Sequence, residues 1–125
     1  DAAEYAQLFK GDMLYASENF AQAADVYKPL TGSTNETVYT VGSLSLASSL
    51  QAAKDYKASA EEMTKFIKQN PKSFALPQAY FTLAISQELA GNKTEALEAY
   101  KHLVENYAKT YFGSVAKDKI KELQK

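Results

Sequence analysis

Four sets of residues recur at fixed distances along the chain, and this recurrence limits the available folds more than any other feature. Gly11, Ala47 and Ala84 are small, and twelve residues after each stands another small one: Ala23, Ser59 and Ala96. Four further on come Tyr27, Met63 and Tyr100, and three beyond these Leu30, Phe66 and Leu103. The units are offset by 36 and then 37 residues. Two helices that cross closely need small residues where their backbones approach, supplied by Gly11 against Ala23, Ala47 against Ser59 and Ala84 against Ala96. The large residue four positions later fills the wedge where the next helix stacks. Each such pair keeps an apolar face that only a neighbouring pair can cover, so the units stack into a solenoid.

The rest of the pattern is helical. Ala, Glu, Lys, Gln and Leu dominate, and apolar residues recur at i, i+3 and i+4 with little strand-like alternation. The spacing predicts helices near 2–16, 20–29, 37–51, 57–69, 76–90, 93–107 and 112–124. Breaks are expected at Ser17-Glu18-Asn19, from Pro29 to Asn35, at Lys54-Asp55, at Asn70-Pro71, at Gly91-Asn92 and near Lys109. The last helix gathers Phe112, Val115, Ala116, Ile120 and Leu123 on one stripe, which makes it a cap whose Lys117, Lys119, Lys121 and Lys125 face water.

Composition removes several classes of function. A chain of 125 residues is one domain's worth, and its apolar runs are too short and too interrupted to insert in a membrane. A net charge of −1 leaves no basic footprint for nucleic acid, and all 14 basic residues are Lys, so no guanidinium fork is present. There is no Cys, which excludes disulfides, thiolate nucleophiles and Cys-based zinc sites and fits an oxidising compartment such as a periplasm. The chain begins at Asp1 without a signal peptide, as expected of a mature or excised domain.

Catalytic patterns are missing. His102 is the only histidine, so it has no second His or Cys with which to share a metal, and it reads as a solvated surface residue. Glu61, Glu62, Glu95, Glu98 and Glu105 lie on helix surfaces, with Glu98 spaced to pair with Lys101 or His102. The Ser-rich run 41–49 reads as a packed helix, and no phosphate-cradling glycine loop occurs. Asn35-Glu36-Thr37 and Asn92-Lys93-Thr94 satisfy the N-glycosylation pattern, yet Asn92 and Thr94 sit where a helix cap belongs. No catalytic residue, cofactor or metal is expected, and the chain reads as a non-enzyme.

The spacing resembles the tetratricopeptide repeat. Tyr80, Leu83, Ala84, Gly91, Ala96, Tyr100 and Leu103 match that motif in the third unit; Leu46, Ala47, Tyr56, Ser59, Met63, Phe66 and Pro71 match it in the second; and Gly11, Phe20, Ala23, Tyr27 and Leu30 in the first. Lys10 and Lys93 depart from it, and the closing proline is absent from units one and three. The resemblance implies one all-α domain over 1–125, a right-handed solenoid of three helix-turn-helix repeats at about 4–37, 40–73 and 77–110, with the capping helix at 112–124. A narrower resemblance, carried by Asn70-Pro71-Lys72-Ser73, Tyr107-Ala108-Lys109-Thr110 and the terminal helix, is to bacterial envelope repeat proteins of the Tol–Pal YbgF/CpoB type and the BamD-like lipoproteins. It implies a periplasmic or envelope-associated adaptor, with the cytoplasm as the alternative, and a TolA-like or other envelope protein as partner. The competing reading is a scaffold subunit of an outer-membrane or secretion assembly machine, which forms oligomers through exposed Tyr5, Tyr15, Tyr39 and Tyr111.

In such solenoids the first helix of each pair lines the concave face. Carried over, that face comprises Tyr5, Leu8, Asp12 and Tyr15, then Val41, Leu44, Ser48 and Gln51, then Gln78, Phe81, Ile85 and Glu88. Leu8, Leu44 and Ile85 are equally suited to pack against neighbouring helices. Where carboxylate-clamp domains place Lys, Asn and Arg, this chain has Leu8 and Asp12, so the groove suits an amphipathic helix or a partly apolar extended peptide.

Overall fold

The computed structural model describes residues 1–125 and contains seven α-helices, one 3-10 helix and no strand. The helices are α1 (Ala2–Ala16), α2 (Phe20–Tyr27), α3 (Glu36–Ala52), α4 (Tyr56–Gln69), α5 (Leu76–Leu89), α6 (Lys93–Asn106) and α7 (Tyr111–Leu123). The 3-10 helix spans Lys28–Gly32.

Local chemistry starts these helices. Asp1 and Glu4 form a reciprocal capping box on α1. Asn35 accepts from the Val38 N–H at 3.0 Å, Asp55 from Ala58 at 3.3 Å and Thr110 from Gly113 at 3.1 Å. Asn92 occupies the capping position of α6, but its side chain donates instead to Gln87 Oε1 at 2.8 Å.

The turn inside each unit repeats as faithfully as the helices do. Glu18, Lys54 and Gly91 have φ of 62°, 68° and 86°. The next residue's N–H returns to a carbonyl five residues back: Asn19 to Leu14, Asp55 to Leu50 and Asn92 to Gln87, each at 2.8 Å. This is the Schellman closure, which needs a left-handed residue and is least strained with glycine. Only the third unit supplies one.

The second helix is shorter than its spacing predicts. Pro29 has no N–H to continue the α-helical ladder, so after Tyr27 the chain tightens into the 3-10 turn that carries Leu30 into the core. The other boundaries move by one residue at most.

Successive helices pack against one another along the whole chain. In addition α1 touches α3, α3 touches α5 and α5 touches α7, whereas α2, α4 and α6 make no such row. The first helices therefore form the inner wall of a curved stack. Every residue of the repeating register is buried: Gly11, Ala47 and Ala84; Ala23, Ser59 and Ala96; Tyr27, Met63 and Tyr100; Leu30, Phe66 and Leu103. All of these but Gly11 and Ser59 fall in three hydrophobic clusters, one per unit's register, and the last is closed by Phe112, Ala116, Ile120 and Leu123 of α7. The chain is an all-α solenoid of stacked helix pairs.

A polar network marks the joint between units two and three. Ser59 Oγ donates to the Ala47 carbonyl at 2.7 Å, and Ser86 Oγ donates to Ser59 Oγ at 2.9 Å. Gln51 Nε2 donates to Ser86 Oγ at 2.9 Å and to the Thr82 carbonyl at 3.2 Å. Three helices are thus tied through buried hydroxyls.

Candidate interaction groove

The inner wall carries a continuous groove. An open depression of about 520 Å³ lies between α1, α3 and α5, with Asp12, Tyr15, Val41, Leu44, Ser48 and Gln78 among its lining. It shares Val41, Leu44 and Gln78 with a second depression of about 400 Å³ that continues past Phe74 and Pro77 to Thr110, Tyr111 and Phe112. The result is an apolar channel running from α1 to α7, with Tyr15 at one end and Phe74 and Tyr111 at the other. Phe74 is 86% exposed and Tyr111 73%. A larger hollow of about 740 Å³ between α4 and the α5–α6 turn is lined by Lys57, Glu61, Lys65, Lys68 and other polar chains, with Ala60 its single hydrophobic residue. Of these hollows, the apolar ones lie on the inner wall.

The residues assigned to this face by register divide into two groups. Asp12, Tyr15, Leu44 and Gln78, together with Val41 and Ser48, line the groove. Leu8 is buried with Ala23, Tyr27 and Leu46, because α1 turns it toward α2 and α3. Gln51 spends its amide on Ser86 and Thr82. Phe81 sits beside Phe112, ring centroids 5.2 Å apart, and with Ile85 packs on the last core cluster. Tyr5 lines neither depression and is half exposed. The register does not reach Phe74, which lies in the link between α4 and α5; its one sequence signal is an aromatic in a Pro- and Ser-containing loop.

Two carboxylates of the first helices, groove-lining Asp12 and Glu88 of α5, are each held by a buried tyrosine. The Tyr27 hydroxyl donates to Asp12 Oδ1, and the Tyr100 hydroxyl donates to Glu88 Oε1 at 2.7 Å. Burial, and then the neighbouring carboxylate, push both phenols well above their ordinary range, so both stay neutral and keep donating. Glu88 also has Lys119 Nζ 3.9 Å away, so this lysine turns inward and does not stay in solvent with the other lysines of the cap. Asp12 has no cationic partner. It is the uncompensated charge of the groove.

His102 lies elsewhere, half-buried and stacked on Tyr80 with ring centroids 3.9 Å apart. Its neighbour Asn106 approaches Nδ1 at 3.4 Å, and Glu98 joins no ion pair. Tyr39, expected to be exposed, is half-buried: it stacks on Phe66 and accepts from Asn70 Nδ2 at 2.7 Å. No group of three or more His, Cys, Asp or Glu residues is placed to hold a metal, and no helix is long and apolar enough to cross a membrane.

Paired helices in one stack, with an apolar inner wall, define a helical-repeat interaction module. Residues 78–115, from α5 through α6 into α7, match the family model described as Tetratricopeptide repeat. No curated protein matches the chain. Repeats of this family generally mediate protein–protein interaction.

Proposed function

We propose that the protein is a non-enzymatic adaptor of the bacterial cell envelope that binds a helical or extended segment of a partner protein along the inner wall. The observation that carries this reading is the unbroken apolar channel from Tyr15 to Tyr111, open along its length. An occupant that buries an apolar stripe on Val41, Leu44 and Phe74 and sets a Lys or Arg against Asp12 satisfies the lining with no unpaired charge. The envelope assignment, with a TolA-like protein as one candidate partner, is supported by the Asn70–Ser73 and Tyr107–Thr110 links and the terminal helix.

Pull-downs from envelope extract with wild type and a Val41→Glu, Phe74→Glu double variant test the groove. Both residues are exposed, so the variant keeps its fold. Loss of the specific partners is expected, and identical partner lists would sink the assignment. Fractionation of cells expressing the native gene tests the location separately; recovery in the cytosol removes the envelope role and leaves the groove standing. The second reading, a scaffold subunit of an assembly machine, is favoured by the uncovered outer face of α1.

A further inference from the structure

That outer face is unlike the same face of any other first helix. Tyr5, Phe9 and Met13 are 50%, 66% and 57% exposed, and Ala2, Ala6 and Ala16 beside them are exposed as well. At 3.6 residues per turn these six fall in one uncharged strip, edged by Asp12 on one side and Lys10 on the other.

The repeat offset says what the strip is. Ala2, Ala6, Phe9 and Met13 correspond to Val38, Gly42, Ser45 and Ser49 in α3, and to Ala75, Ala79, Thr82 and Ser86 at and within α5. All of these except Ser45 are buried. They lie where the second helix of the preceding unit packs, α2 on α3 and α4 on α5. The part of the strip formed by Ala2, Ala6, Phe9 and Met13 is therefore a surface built to take a helix, with larger apolar side chains than its counterparts. Tyr5, matching Val41 and Gln78, and Ala16, matching Ala52 and Leu89, extend it toward the groove.

Whatever covers it must present an uncharged apolar helix face of its own. The far end of the solenoid does not: α7 exposes Ser114, Lys117, Asp118, Lys121 and Glu122, so head-to-tail stacking would bury charges. The α1 of a second copy does. Its strip is also symmetric in spacing, since Ala2, Tyr5, Phe9, Met13 and Ala16 are separated by three, four, four and three residues. An antiparallel copy related by a twofold axis at Phe9 sets Phe9 against Phe9, Tyr5 against Met13 and Ala2 against Ala16. Such self-complementarity is what an isologous interface requires.

We propose that two copies of this chain join head to head through α1, about a twofold axis passing at Phe9. Three large side chains and a few alanines make a smaller patch than the roughly 800 Å² per partner of a standard interface, so the dimer is reversible and depends on concentration. Asp12 and Tyr15 lie toward one edge of the strip, and this twofold keeps that edge on the same side in both copies. The two grooves then open side by side.

Sedimentation equilibrium of the 125-residue chain tests the dimer, with Phe9→Glu as the disrupting variant. The wild type is expected to shift from monomer to dimer with rising concentration, and Phe9→Glu to weaken association at least about tenfold by opposing two buried carboxylates. A wild type that stays monomeric up to about 1 mM, or a Phe9→Glu chain that dimerises equally well, overturns the proposal. Because the chain has no cysteine, single substitutions report the register. Phe9→Cys should oxidise to a covalent dimer, Met13→Cys alone should not, and Met13→Cys mixed with Tyr5→Cys should. Self-coupling of Met13→Cys as fast as Phe9→Cys would overturn the antiparallel pairing.

Discussion

Gly11→Ala is the most informative single-methyl perturbation of this core. A Cβ built on Gly11 lands inside the Tyr27 ring, so the ring must move. Overpacking of that kind costs about 1–3 kcal/mol. A displaced ring also loses its bond to Asp12, a hydrogen bond to a charged acceptor worth about 1.5–3 kcal/mol. Against these stands the gain of about 1 kcal/mol from replacing glycine with alanine inside a helix. The net expectation is a loss of about 3 kcal/mol, or a fall in Tm of roughly 9–15 °C for a domain of this size. Urea unfolding followed by circular dichroism measures it, provided the slope m matches that of the wild type. Tyr27→Phe, alone and combined with Gly11→Ala, separates the two costs. If Gly11→Ala has already broken the Tyr27–Asp12 bond, the second substitution adds little. The third unit supplies the internal contrast, because Ala84 stands at the matching position and Tyr100 is still fully buried. A Gly11→Ala chain as stable as wild type would show that Tyr27 slides freely to a pose like that of Tyr100, and would refute the reasoning.

Three further expectations follow from the packing. Ala96→Leu should force apart α5 and α6 at their contact and cost about 1–3 kcal/mol in the same unfolding assay. Lys54→Gly should stabilise by about 0.5–1 kcal/mol, since it relieves a left-handed lysine in the turn that Gly91 makes without strain. Tyr27 and Tyr100 titrate above the ordinary tyrosine value of 10.0 in the folded chain, so folding favours their protonated form. Their contribution is intact below that value and is lost as pH rises beyond it; unfolding free energy should begin to fall as pH rises through about 10, and less steeply in a Tyr27→Phe, Tyr100→Phe chain.

What the sequence disclosed, and what it withheld, follows from how far each residue's role is set by its own helix. Small residues at 11, 47 and 84 and large ones at 27, 63 and 100 are constrained by backbone approach, so their spacing alone located the core. The in-unit turns were visible as Lys54-Asp55 and Gly91-Asn92, and the backbone bears this out at Glu18 as well. The 3-10 turn after Tyr27 was harder to foresee, because Pro29 permits either an ended or a tightened helix. Groove membership was less legible still. Leu8 and Leu44 hold equivalent register positions, yet Leu8 is buried among Ala23, Tyr27 and Leu46 while Leu44 lines the channel, a difference that tertiary packing sets and helical spacing does not. Phe74 escapes helical spacing altogether, since a link places it.

The buried hydroxyl network has a consequence for assembly of the stack itself. Units of one length and one shape can exchange places, within a chain or between chains, and such swapping is a known hazard of repeat arrays. The matching positions elsewhere read Ala23 or Ala96 for Ser59, Tyr15 or Glu88 for Gln51, and Met13 or Ser49 for Ser86. A first unit in the third place would set Met13 against Gln51 and remove the Ser86 hydroxyl, and a buried polar group so orphaned costs about 1–3 kcal/mol. Gln51, Ser59 and Ser86 thus favour the correct neighbour at the joint between the second and third units and penalise a copy of the first unit in its place.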